Sequence, residues 1–164
     1  MQKLNFGESV DEIIRRDGRY DHDAYYFVRE GLDFTIKTLK KDSHGTGRHV
    51  SGQELLEGLR RFALDQFGPM AKTVLAHWGV KRCEDFGEIV FHMVDKGILG
   101  KTEQDTPDDF KGGYDFDEVF VKPYQPPSRP RIRRRAKTGE AGGERYHTVP
   151  GRTSDAKKLS GGTN

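Results

Sequence analysis

The chain has 164 residues, 28 Lys+Arg against 26 Asp+Glu and a net charge of +2, with only 33% hydrophobic residues. That length and composition support one small domain with a modest core. The single cysteine, Cys83, excludes an internal disulfide framework and a cysteine metal knuckle. The opening Met-Gln-Lys-Leu-Asn-Phe-Gly has no signal-peptide core, and no apolar run approaches the length of a membrane span, so a soluble cytoplasmic protein without a membrane partner is expected.

Taken in chain order, Ser9-Val-Asp-Glu12 reads as a capping box opening a short helix that Gly18 stops. Asp21-His-Asp23 then precedes a long amphipathic stretch carrying Phe27, Val28, Leu32, Ile36 and Leu39 near helical spacing. A polar loop over 40–49 follows. Ser51-Gly-Gln-Glu54 is the clearest start signal, with Val50 and Leu55 placed for a hydrophobic staple and Leu59, Phe62 and Phe67 continuing the stripe to Gly68. Pro69 restarts a helix that faces Val74, Leu75 and Trp78 inward and stops at Gly79. A third helix of this half spans roughly 84–96, with Phe86, Ile89, Val90, Met93 and Val94 inward.

The aromatic/polar alternation of Tyr114-Asp-Phe-Asp-Glu-Val-Phe-Val121 predicts a half-buried strand, paired with 98–101 as a long-looped hairpin. The expected fold is therefore mainly α with a small β-hairpin (α+β). Residues 51–121 follow the winged-helix order of elements, preceded by two further helices in a compact domain over 1–121. Residues 122–164 read as a disordered, Pro/Arg-rich basic tail.

The segments 19–33 and 50–60, with Gln66-Phe-Gly-Pro69, Leu75-Ala-His-Trp-Gly79 and Asp85-Phe-Gly-Glu-Ile-Val90, together resemble a family of small uncharacterised bacterial proteins. The resemblance covers about residues 8–121 and leaves the basic tail outside. It implies no activity, cofactor, partner or site residue.

Function is read from charge. Residues 1–122 carry 18 Lys+Arg and 23 Asp+Glu, a net of −5, whereas 123–164 carry 10 and 3, a net of +7. Arg129, Arg131, Arg133, Arg134, Arg135 and Lys137 fall within nine residues, after prolines at 123, 126, 127 and 130 that favour an extended backbone. Such an arm suits RNA or ribosomal phosphate, through guanidinium forks and stacking. A solubilising tail, an acidic protein partner and a latch onto the acidic body are the other readings of the same arm.

The outward positions expected on the 84–96 helix are Glu84, Asp85, Glu88, His92, Asp95 and Lys96, four carboxylates against one lysine, which phosphate would repel; Glu84, Asp85, Glu88, His92 and Asp95 suit a protein contact instead. The leading expectation is a non-enzymatic binding protein whose arm contacts RNA while the acidic body positions it. The second is a protein–protein adaptor using the acidic helix and hairpin, with the tail as tether or latch.

Catalytic and metal candidates are few. His44 and His49 flank Gly45-Thr-Gly47, but the loop lacks the Gly-Lys-Ser/Thr ending of a P-loop. Asp21-His22-Asp23 fits helix capping better than metal ligation. His77 lies at a helix end, His92 between Glu88 and Asp95, and Cys83 at a helix start beside Lys81 and Arg82, where packing or capping is expected. Neither a cofactor nor a metal is expected.

Overall fold

The computed structural model describes residues 5–42 and 49–128. The chain divides into a unit of Met1–Pro127 and a second of Ser128–Asn164, of which only Ser128 is among the described residues.

Helix α1 (Phe6–Arg16) starts four residues earlier than Ser9 would place it. Asn5 and Glu8 form the capping box, the Asn5 amide donating to Glu8 Oε2 at 3.1 Å. Ser9 is instead a buried residue of the first turn, beside Val10 and Ile13. The chain leaves α1 in an extended conformation at Asp17. Asp21 then caps α2 (His22–Asp42), its carboxylate accepting from the Asp23 amide at 3.0 Å, as the polar triplet suggests.

Helix α3 (Gly52–Phe67) keeps the Ser51–Glu54 capping box: the Ser51 amide donates to Glu54 Oε2 at 3.0 Å and the Glu54 amide to Ser51 Oγ at 3.2 Å. It crosses α2 at small residues. A Cβ on Gly58 would lie 1.7 Å from Thr35 Oγ1, and one on Gly31 would lie 2.4 Å from Leu59 Cδ2. The two backbones approach because neither glycine interposes a side chain.

A 3₁₀ turn over Gly68–Met70 leads into α4 (Ala71–His77), which ends in a Schellman pair: Gly79 N to Ala76 O at 3.1 Å and Val80 N to Leu75 O at 2.9 Å. Gly79 has φ 88°, and a Cβ there would sit 2.3 Å from the Arg19 carbonyl oxygen. The Asp21 amide also donates to the Trp78 carbonyl at 3.0 Å, so the α1–α2 corner meets the end of α4 through main chain. Helix α5 (Cys83–Asp95) closes the same way at Gly97, with Ile98 N on Met93 O at 2.9 Å.

The hairpin is absent: among the described residues there is no strand, and the fold is helical. Asp115 caps a short helix, α6 (Phe116–Phe120), accepting from the Asp117 and Glu118 amides at 2.9 and 3.1 Å. Phe116 and Phe120, four residues apart, share a buried face, whereas the Tyr114/Phe116 alternation had suggested period two. Residues 107–110 form a 3₁₀ turn rather than a hairpin loop, and Phe110 presses on Gly87 of α5, where a Cβ would lie 2.8 Å from its Cγ. With no hairpin there is no wing, and the winged-helix expectation goes with it.

Two aromatic groups organise the core. Phe27 of α2 packs on Phe62, Trp78, Phe67 and Phe86, with ring centroids 5.2, 5.7, 5.9 and 6.3 Å away. Phe116 lies 5.1 Å from Phe120 and 5.9 Å from Tyr114, whose hydroxyl donates to the Leu56 carbonyl at 3.0 Å. Among the described residues no helix is long and apolar enough to cross a membrane.

Candidate functional site

The acidic helix selected from the sequence is α5, and its expected outward residues divide. Asp85 is only 8% exposed. Its Oδ2 accepts from the Lys81 and Arg82 amides at 2.8 and 3.1 Å, closing the turn into α5, and its Oδ1 accepts from Tyr20 at 3.0 Å. Glu88 and His92 are half-buried. Only Glu84, half-buried, and Asp95, exposed, stand outside this arrangement.

Residues 17–20, between α1 and α2, supply the other side. Arg19 holds Asp17 through Nε and Nη2, at 2.8 and 2.5 Å, and reaches Glu88 Oε2 with Nη1 at 2.6 Å. The Tyr20 hydroxyl lies 2.7 Å from Glu88 Oε2 as well as 3.0 Å from Asp85 Oδ1, so its one proton is offered to two carboxylates. Burial and those two acids push the Tyr20 phenol far above its ordinary range, and it stays protonated. The Arg19 guanidinium holds Asp17 down at about 2.

His92 completes the network. Its Nε2 is 3.6 Å from Asp17 Oδ2, and its Nδ1 is 3.0 Å from the Tyr25 hydroxyl. Carboxylate, imidazole and hydroxyl therefore stand in the order of a nucleophilic triad. Tyr25, however, is 0% exposed, and burial pushes its hydroxyl up to about 12. A substrate atom has no route to that oxygen. The network is a structural joint between the α1–α2 corner and α5.

The other catalytic candidates have similar partners. Cys83 is buried, donates from Sγ to the Tyr114 carbonyl at 3.3 Å, and burial raises its thiol to about 11. A buried thiol is a poor nucleophile at neutral pH, in line with the packing role expected of it. His22 pairs with Asp11 at 2.5 Å and His49 with Asp105 at 2.9 Å. His44 lies outside the described residues. Among the described residues no group of three His, Cys, Asp or Glu is arranged to hold a metal ion.

A groove of about 260 Å³ between α2, α3 and α5 has no counterpart in the sequence reading. Leu32, Ile36, Val90 and Val94 form apolar walls, and the His49–Asp105 pair stands on the rim. Its lining comes from four separated stretches of chain, so no local pattern announces it. Arg129, Arg131, Arg133, Arg134, Arg135 and Lys137 lie outside the described residues. The chain matches no family model, no curated protein and no solved structure.

Proposed function

We propose that this is a non-enzymatic, cytoplasmic binding protein whose basic segment, Arg129 to Lys137, holds RNA or ribosomal phosphate while the helical body positions it. The observation that carries the reading is the concentration of six cations in nine residues beyond a body of net −5. The body supports it by exclusion. Its exposed carboxylates include Asp95, Glu103, Asp108, Asp115, Asp117 and Glu118, which oppose a polyanion. Its histidines 22, 49 and 92 and its thiol are held by intramolecular partners. The adaptor reading loses support, because three of its five face residues, Asp85, Glu88 and His92, hold the protein's own turn and tyrosines.

The test is fluorescence anisotropy of a labelled single-stranded RNA, titrated with the full chain and with a variant carrying glutamine at the six basic positions. If about five phosphates are neutralised, log affinity falls with log salt at a slope of roughly −3.5 on a single strand. The variant should lose most of the binding and nearly all of the slope. Equal binding by both chains would overturn the reading.

A further inference from the structure

The groove between α2, α3 and α5 is walled by two pairs of side chains, each pair four residues apart: Leu32 and Ile36 on α2, Val90 and Val94 on α5. Each helix thus turns one apolar row toward it. Leu55 and Phe110, both buried, complete the apolar lining. The charged residues of the lining already have partners. His49 Nε2 lies 2.9 Å from Asp105 Oδ1. Asp105 Oδ2 accepts from the Thr102 amide at 2.7 Å, and Asp109 Oδ2 from the Thr106 amide at 2.8 Å. The Lys101 ammonium stands 5.7 Å from the centre of the Phe91 ring.

We propose that this groove is a binding site for a small uncharged molecule with an apolar body. An apolar cavity of about 150 Å³ accepts benzene, with its six carbons, so one of about 260 Å³ has room for about ten. Water between these walls has few polar partners, and its displacement by an apolar ligand is favourable. An anionic head group would meet Asp105 and Asp109, and a cationic one Lys101, so an ionised end of either sign gains little for the hydration it gives up. A hydroxyl or an ester avoids that conflict. The apolar residues of the lining are all buried or half-buried, and the exposed large hydrophobics, Tyr26, Met70 and Tyr124, lie outside it. A protein surface, a second copy of this chain included, would find little exposed apolar area to cover there, whereas a small molecule reaches inside. Such a ligand is independent of whatever the basic segment binds.

The experiment is methyl NMR of the full chain, isotope-labelled at Ile, Leu and Val, titrated with octanol, octanoate and octylammonium. Octanol should shift the methyls of Leu32, Ile36, Val90 and Val94 and saturate as a single site, and each ionised probe should bind at least about fivefold more weakly. From hexanol to decanol, affinity should rise roughly fourfold per added methylene and then level off. Val94→Phe occupies part of the groove and should weaken octanol at least about tenfold. Val94→Thr keeps the wall's volume and adds a hydroxyl; it should weaken octanol about three- to tenfold, and it reads the site even if the larger side chain is not accommodated. Shifts that never saturate, shifts spread over the whole surface, or parent-like affinity in Val94→Thr would overturn the site. An ionised probe that binds as tightly as octanol would overturn the uncharged class of ligand.

Discussion

Asp85 accepts hydrogen bonds from two backbone amides and a tyrosine hydroxyl at a position that is almost fully buried. Truncating it leaves the Lys81 and Arg82 amides without their acceptor and the Tyr20 hydroxyl with Glu88 alone, a larger loss than one surface hydrogen bond. Asp85→Ala should therefore destabilise the protein by about 3 kcal/mol, whereas Glu84→Ala, one position earlier, should stay within about 0.5 kcal/mol. Urea titration of the two variants separates them, and equal effects would contradict the buried role. This residue also shows where sequence reading stops. Glu84, Asp85, Glu88, His92 and Asp95 all look like a solvated face, because helical periodicity reports that they lie opposite the apolar stripe. It does not report that residues 17–20 pack there, and the missing information is a contact across some 65 positions of chain.

At the scale of elements, the tightest contact is the crossing of α2 and α3. A methyl on Gly58 collides with Thr35, whose own hydroxyl donates to the Gly31 carbonyl at 2.7 Å. Gly58→Ala should raise helix propensity and still destabilise the fold by about 1–3 kcal/mol through overpacking. Adding Thr35→Ala should recover only part of the loss, because Thr35 Cβ would remain 2.7 Å from the new methyl. Thermal denaturation of the two single variants and the double variant reads this directly, and full recovery in the double would place the strain elsewhere.

Local chemistry made most of these elements legible. The Ser51 capping box, the Asp21 cap and the stops at Gly79 and Gly97 are written in a few adjacent residues and depend on little else. Two elements were displaced. Helix α1 is capped by Asn5, whose box with Glu8 competes with an equally plausible Ser9–Glu12 pair; burial of Ser9 beside Val10 and Ile13 decides between them. Residues 114–121 carry both an alternating pattern and an Asp N-cap with an acidic first turn. The cap prevails because burying Phe116 and Phe120 on one face needs helical spacing, and among the described residues there is no second strand to pair with.

For the whole molecule, acid stability follows from the Asp17–Arg19 pair. Asp17 titrates at about 2 when folded against its usual 3.8, so between those values the unfolded chain binds more protons than the folded one. Stability from this pair is complete above the unfolded value and is lost as pH falls through the folded one. Asp17→Asn should flatten the dependence of stability on pH between about 4 and 2 and leave the slope above pH 5 unaltered. Urea midpoints measured across that range check it, and an unchanged acid limb in the variant would assign the effect to other carboxylates.

The joint at Gly79 has a consequence for how such a chain can diverge. There the α1–α2 corner and the end of α4 touch carbonyl to Cα, with no side chain interposed on either surface. The contact itself is made of main chain, so the hydropathy, charge and volume of side chains do not form it. One position is barred from drifting, and it is barred to every residue that carries a Cβ. A descendant that repacked its core could still be tied at this place by the same missing atom.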